Sequence, residues 1–197
     1  MRKAINNITF LTSILATQAY SQTVFPCTDE DQEIANEALS TAQEMLEFAI
    51  EGFDGGGIDF GLKAGIWLGA RNSTDAEEIR DTYERALVFS EGMKFLCAVD
   101  SSFNAIAAVN QDVPVPYIML GEAFFGLEDN GFDSQPGSVI HELTHGLLVE
   151  GTNFLDSERY GTDEALKLAE EDPRTAMSNA DNYQYFIEAY YFSLDPP

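Results

Sequence analysis

Histidine is almost missing from this 197-residue chain, occurring only at His141 and His145. Cysteine is as scarce: Cys27 and Cys97 are too few for a cysteine-rich scaffold or a four-cysteine zinc site. Ten Lys and Arg face 34 Asp and Glu, a formal charge of -24. That deficit of positive charge removes the surface that phosphate backbones and anionic lipids require, so no nucleic acid and no membrane is expected as a partner. A long hydrophobic run is lacking too. The apolar stretch near the N-terminus covers about ten residues, where a bilayer span takes about 20. What the chain does have is 45% apolar and 12% aromatic residues, enough for a core and enough to exclude disorder as its overall state. The length suits one domain. The acidic excess reads as a solubilising face that would also concentrate cationic peptides at low salt.

The first residues read as an address. Met1, Arg2 and Lys3 give a basic start, Ile8 to Ala16 a short apolar stretch, and Ala19-Tyr20-Ser21 the small residues that a signal peptidase reads. The expectation is a secretory signal peptide over residues 1–21 and a mature domain over 22–197. The product would be extracellular, or periplasmic in a bacterium. Export permits a disulfide, and Cys27 with Cys97 is the sole available pair. Asn72-Ser73-Thr74 is a glycosylation sequon.

The mature chain begins helical. Thr28 followed by three acids is an N-cap with a first turn that suits the helix dipole. Ile34, Ala38, Ala42, Met45, Leu46, Ala49 and Phe53 then recur at helical spacing, up to the glycines at 55–57. A second helix is expected over Phe60 to Leu68. A third, capped by Ser73 or Thr74, would bury Ile79, Tyr83, Ala86 and Leu87. After Asp100, Ala105 to Val109 and Tyr117 to Leu120 read as short strands, the second placed at a sheet edge by Pro114 and Pro116. Asp133 or Ser134 would cap a helix over about 135–149, with Pro136 in its first turn. A helix from Asp163 to before Pro173 and another from about Ala180 to Phe192 complete the chain. The fold class is α+β, predominantly helical with a small β-sheet.

His141-Glu142-Leu143-Thr144-His145 is an HExxH motif. Residues four apart share a helix face, so both imidazoles can reach one ion, and neutral imidazole suits zinc. Glu142 stands beside that ion, placed to act on a water without being a ligand. With no third histidine, the third protein ligand must be a carboxylate. The downstream choices are Asp156, Glu158, Asp163 and Glu164. Glu164, nineteen residues after His145, has the spacing of glutamate-ligand zinc peptidases, and spacing alone does not choose between it and Asp156.

Further segments carry a resemblance. Gly151-Thr152-Asn153-Phe154-Leu155-Asp156, Tyr160-Gly161, and Asn179-Ala180-Asp181-Asn182-Tyr183-Gln184-Tyr185-Phe186 resemble the deuterolysin-type (aspzincin) zinc metalloendopeptidases, and most of all their peptidyl-Lys branch. Asp133-Ser134-Gln135 and the spacing of Cys27 and Cys97 share the likeness. The resemblance implies a zincin-like domain with one zinc ion. It implies His141, His145 and Asp156 as ligands, Glu142 as catalytic acid/base and Tyr160 as the tyrosine that stabilises the transition state. Two residues, Phe154 and Leu155, are extra between the Gly-Thr pair and Asp156. The branch reads the substrate's lysine with an acidic pair. Asp181 matches the first acid, and Gln184 stands where the second would be. The implied function is a secreted, monomeric zinc endopeptidase acting on peptides or proteins, with a leaning towards a basic residue on the leaving side. The alternatives are a secreted zinc-binding protein without turnover and a peptidase using Glu164 as third ligand.

Overall fold

The computed structural model describes residues 24–55, 57–98, 105–110, 115–148 and 159–197. The expected signal peptide at 1–21 and Asp156 lie outside the described residues.

Helix α1 runs over Asp29–Gly55. Thr28 caps it, its hydroxyl accepting the Asp31 N–H at 3.1 Å. Its buried face is built of small residues, Ala35, Ala38, Ala42 and Ala49, around Met45 and Leu46. Alanine at this spacing lets neighbouring helices approach closely, and α1 packs on α3 (Ser73–Ser90), α4 (Gln135–Leu148) and α7 (Ala180–Tyr191). Helix α2, Gly57–Leu68, closes over α7 and α5 (Thr162–Glu171). A single-turn α6, Pro173–Ala176, follows α5 and was not expected. The cap of α3 is Asn72, whose side-chain oxygen accepts from Thr74 N and Asp75 N, rather than Ser73 or Thr74. Ser73 begins the helix instead. Asparagine ranks among the strongest N-caps, so the first polar residue before the run takes the position.

The sheet has four strands in the order β1-β2-β4-β3, where β1 is Val24–Phe25, β2 Lys94–Ala98, β3 Ala107–Asn110 and β4 Tyr117–Leu120. β2 and β4 run parallel; the other pairs are antiparallel. The edge expected at β4 is a correction. β4 lies between β2 and β3, and β3 is the edge beside it. Pro116 precedes β4 rather than interrupting it, so every residue of the strand retains its N–H for the ladder. Cys27 and Cys97 are bonded, tying the entry of the chain to β2.

Helix α4 sets the position of the HExxH motif. Ser134 caps it, its hydroxyl accepting the Gly137 N–H at 3.0 Å. Val139, Ile140 and Leu143 are fully buried and fix the rotation of the helix. The opposite stripe, Ser138, His141, Glu142 and His145, then faces a cleft between β3 and α7.

Candidate active site

The cleft encloses about 870 Å³. His141, Glu142, His145, Tyr160, Asp181 and Gln184 all line it, so side chains up to 43 positions apart in sequence converge there. The two imidazole rings of α4 lie 4.5 Å apart, centre to centre. His141 is nearly buried and donates from Nδ1 to Asp181 Oδ1 at 2.7 Å. That bond fixes the ring's orientation and leaves Nε2 as the nitrogen with a lone pair to offer. Glu142 is also nearly buried, and its Oε2 accepts the Val109 N–H at 2.8 Å.

That last contact reports the state of the β3 edge. Gly121 N donates to Ile106 O at 2.8 Å, and Ala107 stands opposite Leu120. Antiparallel ladders alternate, so the peptide groups of Ala107 and Val109 face away from β4. The Val109 N–H meets Glu142; the Ala107 peptide group faces the same way, and Ala107 lines the cleft.

Helix α7 supplies the other wall. It is buried along Ala180–Ala189, polar residues included. Asn179 holds the incoming segment in both directions: Arg159 N donates to its Oδ1 at 3.0 Å, and its Nδ2 donates to Arg159 O at 2.9 Å. Gly161 N donates to Asp181 Oδ2 at 2.6 Å. Tyr160, between these two anchors, lies with its ring 6.0 Å from that of His141 and nearly parallel to it. It is 60% exposed. Asn182 ties α7 to the ends of neighbouring helices by donating to Trp67 O and Ala165 O.

One turn beyond Gln184 lies Glu188, fully buried. Its carboxylate accepts from Ser134 N at 2.9 Å, Ser134 Oγ at 2.7 Å, Asp133 N at 3.2 Å and Gln184 Nε2 at 3.4 Å. Burial pushes its pKa up to about 8; the bonds from Ser134 and Gln184 pull the other way. A Cβ on Gly137 would collide with this carboxylate. The sequence reading did not single out Glu188, Asn182 or Ser138. The available signal was the polar series Asp181, Gln184, Glu188 at helical spacing on a helix otherwise rich in aromatics.

Among the described residues, no three His, Cys, Asp or Glu side chains are arranged to hold a metal. Asp156, the third ligand implied by the resemblance, lies outside those residues. Glu164 sits on α5, about half exposed, 3.8 Å from the Arg159 guanidinium, and neither it nor Asp163 lines the cleft. No described helix is long and apolar enough to cross a membrane.

The aspzincin family, described as lysine-specific metallo-endopeptidase, matches residues 65–188. An extracellular protease of Aeromonas hydrophila is 32% identical over 125 residues, which are 62% of this chain and 34% of that protein. A peptidyl-Lys metalloendopeptidase of Armillaria mellea is 41% identical over 71 residues, 36% of this chain and 19% of the relative. The chain thus spans well under half the length of these curated relatives. Its fold is similar to that of a zinc peptidase from Grifola frondosa, with a TM-score of 0.71 and 25% identity, covering 84% of this chain and 98% of the other.

Proposed function

The chain belongs to the aspzincin family of metalloendopeptidases, and from that premise we propose that it is a secreted zinc endopeptidase favouring a basic residue on the leaving side of the cut. The observation that carries this reading is the convergence, on one cleft, of two imidazoles one helical turn apart, a carboxylate between them and a tyrosine against the first ring. The lysine leaning follows the names of the relatives from Armillaria mellea and Pleurotus ostreatus, both peptidyl-Lys metalloendopeptidases.

The donor set suits zinc. His141 has its Nδ1 committed to Asp181, the arrangement that prepares an imidazole for a metal on its other nitrogen. His141, His145 and Asp156 would hold the ion. When bound, zinc supplies a Lewis acid that brings the pKa of a water towards about 7 and polarises the scissile carbonyl.

The chain's own groups do the rest. Glu142 accepts a proton from the attacking water and delivers it to the departing amine nitrogen. The Val109 N–H holds Oε2 of that carboxylate, which leaves Oε1 to act as the base. The Tyr160 hydroxyl donates to the oxygen on which negative charge develops. An extended peptide aligns along β3, pairing with the outward peptide group of Ala107.

The test is Glu142→Ala. The variant should hold one zinc per chain, as the parent does, and lose cleavage of denatured casein and of N-terminally blocked peptides. If parent and variant are equally inert, the peptidase reading fails and a zinc-binding role without turnover replaces it. Cleavage confined to peptides with free N-termini would point to an aminopeptidase instead.

A further inference from the structure

The geometry points to Asp133, together with the side-chain oxygens of Gln184 and Ser138, as the group that reads a substrate lysine in this cleft. The inference rests on the peptidase reading and names a different residue from the acidic pair implied by the resemblance.

The first member of that pair is already engaged. Asp181 is nearly buried, and each of its carboxylate oxygens has a partner: His141 Nδ1 on one and Gly161 N on the other. Turning it towards a substrate would cost the histidine its orientation. The second member carries no charge. Gln184 directs its amide nitrogen to Glu188, which leaves its Oε1 as the polar atom shown to the cleft.

Asp133 lines the same cleft and is exposed. Its Oδ1 accepts the Tyr185 hydroxyl at 2.7 Å, while its Oδ2 has no partner among the described residues. The backbone beneath it is held in the left-handed region at φ 56°, and its N–H donates to Glu188 Oε2 at 3.2 Å. The carboxylate therefore stands on a fixed stem. Ser138, on the cleft stripe of α4, has a hydroxyl that is likewise without a partner among the described residues. One charged and two neutral acceptors suit the three N–H donors of an ammonium. A guanidinium prefers both oxygens of one carboxylate, and Tyr185 occupies one of them. Ser134 and His141 are seven positions apart, about 10 Å along a helix axis, so a long side chain is needed to reach Asp133 from a bond held at the histidines.

Asp133→Asn is a clean probe. Asparagine tolerates the left-handed conformation and keeps an acceptor for Tyr185, while it removes the charge and turns the oxygen offered to the cleft into an N–H donor. The zinc-loaded protein would be given peptides differing only in lysine, arginine or norleucine after the scissile bond. The same three peptides with a reduced, uncleavable bond would be titrated for binding. The expected result is that Asp133→Asn lowers the lysine-to-norleucine ratio about tenfold or more, in kcat/KM and in affinity alike. Asp181→Asn should weaken all three peptides together.

A ratio unchanged within about twofold in Asp133→Asn overturns the assignment. So does a parent protein that cleaves lysine and norleucine peptides equally, and in that case the peptidase reading survives. Selective binding of the lysine analogue without cleavage of any peptide does the reverse. Failure to bind or cleave any of them overturns both.

Discussion

Gly137→Ala should destabilise this protein severely, against the ordinary preference of helices. Alanine in a helix interior is better than glycine by about 0.5–1 kcal/mol. Here the added methyl would stand 2.5 Å from Glu188 Cδ, closer still to Oε1, and 2.9 Å from Ser134 Oγ. None of these atoms is free to yield. The carboxylate is buried under four donors, and Ser134 is both its partner and the cap of α4. Forcing a methyl into such a site costs about 1–3 kcal/mol in strain. Each buried donor that loses its acceptor adds about 1–3 kcal/mol. The net expectation is about 3–6 kcal/mol, which for a chain of this size lowers Tm by roughly 10–20 °C. Thermal unfolding of the parent, Gly137→Ala, Glu188→Ala and the double variant closes a mutant cycle. With the carboxylate gone the methyl has room, so Gly137→Ala should cost little in the Glu188→Ala background. An equal cost in both backgrounds, or an unchanged Tm in the single variant, would refute the account of Glu188 as the fixed seat beneath the active-site helix.

Further outcomes follow from the same contacts. Glu188 keeps its proton up to about pH 8 when folded and releases it near 4.5 when unfolded, so the folded state binds more protons between those values. Stability from this group is therefore full below pH 4.5 and falls as pH rises to 8, by on the order of 5 kcal/mol at most. Denaturant titrations across that range should show the slope in the parent and a flatter line in Glu188→Gln. Asp181→Asn should weaken zinc binding about 10–100-fold through loss of its hold on His141, read by competition with a chelator; an unchanged affinity would count against that positioning role. Replacing both cysteines with serine opens a bridge between residues 70 apart and should cost about 4 kcal/mol, seen as a fall in the urea midpoint with a slope that rises as the unfolded chain expands.

The helices other than the single-turn α6 were legible because their signals are local. α1 announces itself through a cap, acids in the first turn and an apolar period that ends in glycines, and α4 and α7 through similar spacing. The histidine pair was equally legible, since both ends of the motif lie on one helix turn. The sheet was harder. β2 alternates over only five residues, with Phe95 and Cys97 buried and Lys94 exposed. β1 has two residues and little local signal. The Tyr117–Leu120 strand was misplaced at an edge because a proline before a strand looks, in sequence, much like a proline within it. The support around the site left the faintest trace. Asp181 meets His141 across 40 positions and Glu188 meets Ser134 across 54, and no local period encodes a partner so remote.

Arg159 and Gly161 are moored to Asn179 and Asp181, so the tyrosine between them inherits its station from α7. The stretch of chain leading up to it is thereby released from any duty to deliver Tyr160 to the right spot. A change in the length of that stretch would leave the tyrosine docked at the same berth.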